Sequence, residues 1–176
     1  RRQRQMCIRD RFPIESLQNK VNSCFLRAFT WEQRKLGDLV VIGNGCDYQR
    51  LKPGPIPIYG TGGYMTSVDK ALCFRNSIGI GRKGTIDKPY ILIAPFWTVD
   101  TLFYATPKDK TALSFLFGIF QNVDWKSKDE STGVPSLSKQ NINTVEVFVS
   151  GNENEQQSIG LVLTKIDSLI TLHQRK

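Results

Sequence analysis

The sequence predicts a mixed α/β (α+β) chain, on three observations. Short β-like runs lie between residues 39 and 105, each separated from the next by Gly, Pro, Asn or Asp. One apolar segment near residues 110–121 reads as a buried helix. A long stretch with three-four apolar spacing closes the chain. The 176 residues, 40% apolar and 23% charged, have an ordinary globular composition and suffice for a real core. No apolar run reaches the roughly 18 residues of a membrane span.

Residues 1–24 are rich in Arg and Gln and keep neither alternation nor a capped stripe, so they are expected to be a disordered basic leader. From Trp31 the pattern becomes coherent. Residues 31–39 read as a short helical turn leading into an apolar strand at 39–42, which Gly43-Asn44-Gly45 breaks. A proline-spaced extended stretch follows at 53–59 and ends in Tyr59-Gly60-Thr61-Gly62-Gly63-Tyr64, where repeated glycine implies a turn. Further strand-like runs fall at 71–74, 77–80, 90–94 and 102–105, with the glycine-flanked basic loop Gly81-Arg82-Lys83-Gly84 among them.

Asp109 is placed to cap the apolar helix over residues 110–121. Residues 131–136 read as a loop and 145–149 as another strand. Asn152 with Glu155 three residues on forms a capping-box-like start. Ile159, Val162, Ile166, Leu169 and Ile170 then recur as a coiled-coil seam, with His173 at the next seam position. Neither Gly nor Pro terminates this helix, so it is expected to run on in a longer parent chain. Twenty-four residues from Glu153 span about 36 Å. The boundaries expected are 1–24 for the leader, 25–151 for the folded domain and 152–176 for the helix.

The formal charge of +8 points to a polyanionic partner, and its distribution sharpens the point. Residues 1–35 carry net +6 and residues 50–88 net +5, whereas 141–176 carry −1. A basic patch for nucleic acid and an unevenly charged solvated surface both fit this pattern.

Local evidence for catalysis is absent. Cys7, Cys24, Cys46 and Cys73 are 17, 22 and 27 residues apart with no CxxC pair, which argues against a zinc site or disulfide framework; reduced thiols in a cytoplasm are expected. The single histidine, His173, excludes most His-dependent constellations. Neither glycine cluster matches a phosphate-binding loop. The stretch Asp124–Glu130 has residue types of a metal-dependent nuclease, but an exposed charged loop explains it better. Ala94-Pro95-Phe96-Trp97 lacks the amide and second proline of a DNA methyltransferase motif. No catalytic residue, metal site or cofactor is therefore expected in this chain.

Trp31-Glu32-Gln33-Arg34-Lys35-Leu36-Gly37-Asp38-Leu39 resembles the opening of target recognition domains in type I restriction–modification specificity subunits. The Tyr59-Gly60-x-x-Gly63 turn, the Gly81–Gly84 loop and the segment from Gly133 to Ile142 are similar to features of the same domains. Asn154 to Ile159, Asp167 to Ile170 and His173 to Lys176 resemble the helix that follows such a domain. The resemblance covers roughly residues 29–176, but includes one recognition domain and one helix where a complete subunit has two of each. It implies a strongly curved, mostly antiparallel sheet and a spacer helix that pairs antiparallel. It also implies a chain that binds double-stranded DNA without catalysing a reaction. Its partners would be a methyltransferase subunit and a restriction endonuclease subunit, to which S-adenosylmethionine, ATP and magnesium belong. The alternatives are a fragment of a single-chain restriction–methylation enzyme and, more remotely, a small metal-dependent nuclease.

The residues expected at DNA are Tyr59, Gly60, Gly63 and Tyr64 in the glycine turn, Arg82 and Lys83 in the basic loop, and Ser136, Lys139 and Gln140. Turn and segment 136–140 are expected to flank one groove. Ile159, Val162, Ile166, Leu169, Ile170 and His173 are expected to face a second copy or a second recognition domain.

Overall fold

The structure is a computed structural model that describes residues 31–108 and 111–174. The predicted leader (1–24), Asp109, Cys7 and Cys24 lie outside the described residues.

The chain opens with strand β1 (Trp31–Lys35), the four-residue helix α1 (Leu36–Leu39) and strand β2 (Val40–Asn44). The predicted helical turn thus begins five residues late. Glu32, Gln33, Arg34 and Lys35 have local helix preference. They are instead taken up by antiparallel pairing with β9 (Glu146–Ser150), from Trp31 opposite Ser150 to Lys35 opposite Glu146. Tertiary ladder bonds outweigh a propensity difference of a few tenths of a kcal/mol per residue. All five β1 residues stay exposed, while β9 turns Val147 and Val149 inward.

A four-stranded antiparallel sheet has the order β2-β8-β5-β6, with β5 (Ser77–Gly81), β6 (Tyr90–Leu92) and β8 (Leu102–Pro107). Every residue of β5 is buried. A second sheet, β4-β3-β7, joins the hairpin β3 (Pro53–Gly60) and β4 (Gly63–Val68) to the two-residue β7 (Trp97–Thr98), which runs parallel to β3. Register shifts between Pro53 and Ile56 and between Ile58 and Tyr59 bend this hairpin. The predicted strand at 71–74 is reduced to a single bridge, Cys73 opposite Phe96, because the Leu72 and Cys73 amides both donate to the Phe96 carbonyl and no ladder extends.

Helix α2 (Leu113–Asn122) is the predicted apolar helix, starting three residues late; Ala112 precedes it without a side-chain cap. It lays Phe115, Leu116 and Phe120 onto the main core, with Ile78, Ile80 and Phe103 of the central sheet and Leu36, Trp125 and Ile142 from other elements. A second, smaller core under the β3–β4 hairpin holds Ile58, Val68 and Val99, flanked by Trp97. Two short elements follow α2: a 3₁₀ turn (Lys126–Lys128) and helix α3 (Lys139–Thr144), whose Ser138 hydroxyl accepts the Asn141 amide at 3.0 Å. Lys139 and Gln140 therefore stand on the first turn of a helix, beyond the 131–136 loop.

The closing helix α4 (Glu153–Gln174) starts where predicted. Asn152 Oδ1 accepts the amides of Asn154 (2.9 Å) and Glu155 (3.4 Å). Glu155 departs from a capping box: it accepts the Ser150 hydroxyl proton, and Ser150 Oγ accepts the Asn152 amide at 3.0 Å. The cap is thus relayed through one more residue. Only the first turns of α4 pack on the domain, burying Gly160 against α2 and Gln156, whose Nε2 donates to the Ser150 carbonyl of β9 at 2.8 Å.

Candidate nucleic-acid interface

The basic loop follows β5. Gly81 admits a close approach of the Thr85 carbonyl, which would lie 2.0 Å from a Cβ there, and Gly84 has φ +86°. A tight, backbone-anchored turn results. The Arg82 amide donates to the Thr101 carbonyl at 2.8 Å, and the Leu137 amide donates back to the Arg82 carbonyl at 2.9 Å. The Gly84 amide donates to the Pro135 carbonyl at 2.9 Å, and Lys83 bridges Ser136 antiparallel. An ion pair from Lys126 Nζ to Asp87 (2.9 Å) ties the end of the loop to the 3₁₀ turn. That pair holds the Asp87 carboxyl below, and the Lys126 ammonium above, its ordinary value.

Two predicted groups, Arg82–Lys83 and Ser136, are therefore neighbours. Both basic side chains are exposed. Lys83 projects as a compact charge, while Arg82 lies partly back on the protein. Its guanidinium sits 5.7 Å from the centre of the Phe103 ring, with Nη1 3.4 Å from the Asp100 carbonyl.

The glycine turn is a hairpin tip, with Gly63 at φ +106°. Tyr59 packs between Tyr64 and Tyr90, ring centres 6.3 and 6.1 Å apart. Tyr90 donates its hydroxyl proton to the Gly60 carbonyl at 2.5 Å, and burial pushes its phenol far above the ordinary tyrosine range, so it stays a donor. Tyr64 is exposed and its hydroxyl meets Ser67 at 3.0 Å. Tyr59 is half-buried and Gly60 buried, so Tyr64 and the Gly62–Gly63 tip form the accessible part. This turn and the basic loop border the same β7–β8 connection: Tyr59 accepts the Val99 amide at 3.0 Å, and Thr101 accepts that of Arg82. Ser136 joins through Lys83, while Lys139 is half-buried and Gln140 exposed one helical turn further on.

Of the predicted helix stripe, Ile159 packs against the domain. Val162, Ile166, Leu169 and Ile170 are exposed, by 54%, 46%, 65% and 49%, and His173 is exposed as well. Exposed aliphatic side chains in a row are the mark of an interaction surface. An open groove of about 840 Å³ runs beside its root, between Phe148, Phe115 and Leu163. Among the described residues, no three His, Cys, Asp or Glu side chains gather as a metal site, and no helix is long and apolar enough to cross a membrane.

The sequence placed Asp129 only within an exposed charged loop, with no role at the interface. Its Oδ1 accepts the Ser131 amide and hydroxyl and the Ser136 amide. The spacing Asp129-Glu130-Ser131 carries an Asx-turn signal that could have found it.

A sequence model of the family described as type I restriction modification DNA specificity domain matches residues 29–176. The chain belongs to that family. A comparison with curated proteins gives no match. Among solved structures, the S subunit of a type I restriction–modification system from M. genitalium is 18% identical with a TM-score of 0.68, over 79% of this chain and 39% of that one. The HsdS subunit from Thermoanaerobacter tengcongensis is 12% identical with a TM-score of 0.62, over 92% and 47%. A third, from work on complex assembly and conformational transition of the type I R-M system, is 13% identical with a TM-score of 0.67, over 92% and 51%. At these identities the likeness is one of fold: a mixed α/β specificity domain with antiparallel sheets and a long closing helix. The chain spans between 39% and 51% of these neighbours' lengths.

Proposed function

We propose that this specificity domain reads double-stranded DNA for a type I restriction–modification complex, as a specificity subunit or half of one. The match of the family over residues 29–176 carries the reading. The exposed Arg82–Lys83 loop, interlocked with the Ser136 segment inside the net +5 stretch, supports it. Catalysis then resides in a methyltransferase subunit and a restriction endonuclease subunit, which would hold S-adenosylmethionine, ATP and magnesium; the chain itself needs no cofactor. Its work is on DNA in a bacterial or archaeal cytoplasm. On this reading the expected boundaries stand at 25–151 for the recognition domain and 152–176 for the spacer helix, of which Glu153–Gln174 is helical among the described residues. A metal-dependent nuclease finds no support in the comparisons.

Lys83 is assigned to phosphate and Arg82 to a base edge or a second phosphate. Lys83→Ala is expected to weaken binding to all duplexes alike and to reduce the slope of log K against log salt by about one unit. Arg82→Ala in a base role relaxes preference at one position, by roughly 1–3 kcal/mol. Salt-titrated binding to specific and random duplexes decides. If the double alanine variant binds both like wild type, the loop is not in the interface.

The outer face of α4 is assigned to a partner helix, from a second copy or a second recognition domain. Antiparallel pairing of two copies places their recognition domains at opposite ends, related by a two-fold axis, and suits an interrupted palindromic target. The 22 residues of α4 rise about 33 Å, which matches about 10 base pairs of duplex. Sedimentation should show wild-type chain associating at tens of micromolar, and an Ile166→Asp/Leu169→Asp variant monomeric and equally stable. Two monomeric, equally stable proteins would leave the stripe without this role.

A further inference from the structure

We infer that Asp129 is a positioning residue for DNA recognition: its carboxylate closes the 129–136 turn so that the turn's returning strand fixes the Arg82–Lys83 loop. The inference rests on the DNA reading of that loop.

The geometry isolates one atom. Oδ1 of Asp129 accepts three hydrogen bonds, from the Ser131 amide (3.0 Å), the Ser131 hydroxyl (2.8 Å) and the Ser136 amide (2.9 Å). The Ser136 amide, then the Ser131 donors, hold this carboxyl below the ordinary carboxylate range. The turn it closes has an exposed tip at residues 132–135, with Val134 66% exposed. Leu137 is the only buried residue between 130 and 138. Hydrophobic packing therefore reaches one end of the turn, and polar closure has to order the rest.

The consequence runs to the basic loop through adjacent residues. Ser136, whose amide Asp129 accepts, is the residue bridged to Lys83. Pro135 before it accepts the Gly84 amide, and Leu137 after it donates to the Arg82 carbonyl. Three consecutive residues set by one carboxylate thus clamp three consecutive residues of the loop. Glu130 reinforces the closure, its amide donating to the Ser136 carbonyl at 3.2 Å and its carboxylate accepting the Ser138 hydroxyl at 3.2 Å. Specific readout needs side chains held in one geometry, whereas non-specific phosphate attraction tolerates a loose loop. Loss of the clamp should therefore cost discrimination more than general affinity.

The test uses the full chain with Asp129→Ala and Asp129→Asn. Two probes are compared: a duplex selected by wild-type protein from a randomised pool, and an unselected mixed-sequence duplex. With Asp129→Ala the ratio of affinities for the two should fall roughly tenfold, the scale of a charge-assisted hydrogen bond. Amide hydrogen exchange should accelerate at Gly84 and Leu137 while Ile78 and Ile80, in the central strand, keep wild-type protection. Asp129→Asn, which retains an acceptor oxygen, should restore part of both. The inference is overturned if the ratio is unchanged, or if exchange accelerates equally at Ile78 and Ile80, which would mark a general loss of stability. The double variant Arg82→Ala/Lys83→Ala separates the premises. If it weakens binding while Asp129→Ala does not, the positioning role alone fails; if it leaves both duplexes unaffected, the DNA reading of the loop fails and the inference with it.

Discussion

Replacing Trp125 by alanine should cost about 3–5 kcal/mol of stability, the range for truncating a buried aromatic side chain. Against a total of about 5–15 kcal/mol for an ordinary domain, that is a large share. Trp125 is 2% exposed, packs on Phe120 with ring centres 5.4 Å apart, and donates Nε1–H to the Phe120 carbonyl at 2.7 Å. That carbonyl lies in the last turn of α2, where helical N–H donors run short. Trp125→Phe keeps much of the ring volume and drops only the donor, so it should cost about 1–3 kcal/mol. The difference between the two variants separates packing from the hydrogen bond. Urea melts with unchanged slope are the measurement. Equal losses for Phe and Ala would mean that the indole N–H, and not the ring, holds this corner. The position matters for function because Trp125 immediately precedes the 3₁₀ turn whose Lys126 pairs with Asp87 beside the basic loop.

How much of this was legible in the sequence depends on where the deciding force acts. The strands 77–81 and 102–107, the apolar helix and the start of α4 were readable because local pattern and tertiary role agree there. Trp31–Lys35 was misread because its fate is set by β9, more than a hundred residues away, and nothing in Glu-Gln-Arg-Lys announces that pairing. The two-residue β7 and the six-residue α3 are too short for any periodicity to register. At the candidate interface, Gly81-Arg82-Lys83-Gly84 advertised an exposed basic turn through its composition. The structure adds what composition could not carry, that Arg82 folds back over Phe103 and that Ser136 lies across from Lys83. The stripe on α4 was visible as a seam, but its division was not. Ile159 packs on the domain while Ile166 and Leu169 face outward, because Gly160 sits at the crossing with α2.

That crossing supplies a second large effect. A Cβ at Gly160 would lie 2.2 Å from Ser114 Oγ and 2.8 Å from the Phe115 amide nitrogen, so α4 meets α2 with no room for a side chain. Gly118 on α2 is also close to its neighbour across the crossing, with a Cβ position 2.5 Å from Leu163 Cδ1. Two opposing effects act on Gly160→Ala. Alanine gains about 1 kcal/mol of helix propensity within α4. Overpacking against backbone that cannot swing aside costs about 1–3 kcal/mol, so the clash should win and the variant should be less stable. Gly160→Leu, with three more heavy atoms at the same point, should force α4 away from α2 altogether. Ser114→Gly removes the contact at 2.2 Å but leaves the Phe115 amide, so the pair Gly160→Ala/Ser114→Gly should recover only part of the loss. Thermal melts of the four proteins form a double-mutant cycle with a coupling of about 0.5–3 kcal/mol. A Gly160→Ala variant as stable as wild type would show that the clash costs no more than the roughly 1 kcal/mol that alanine gains in helix propensity. The same experiment bears on the proposed function. The α2–α4 crossing sets the direction in which the spacer helix leaves the domain, and a helix that splays there would change the distance and angle between paired recognition domains. Gly160→Ala should then weaken binding to an interrupted two-part site while leaving binding to a single half-site near wild type.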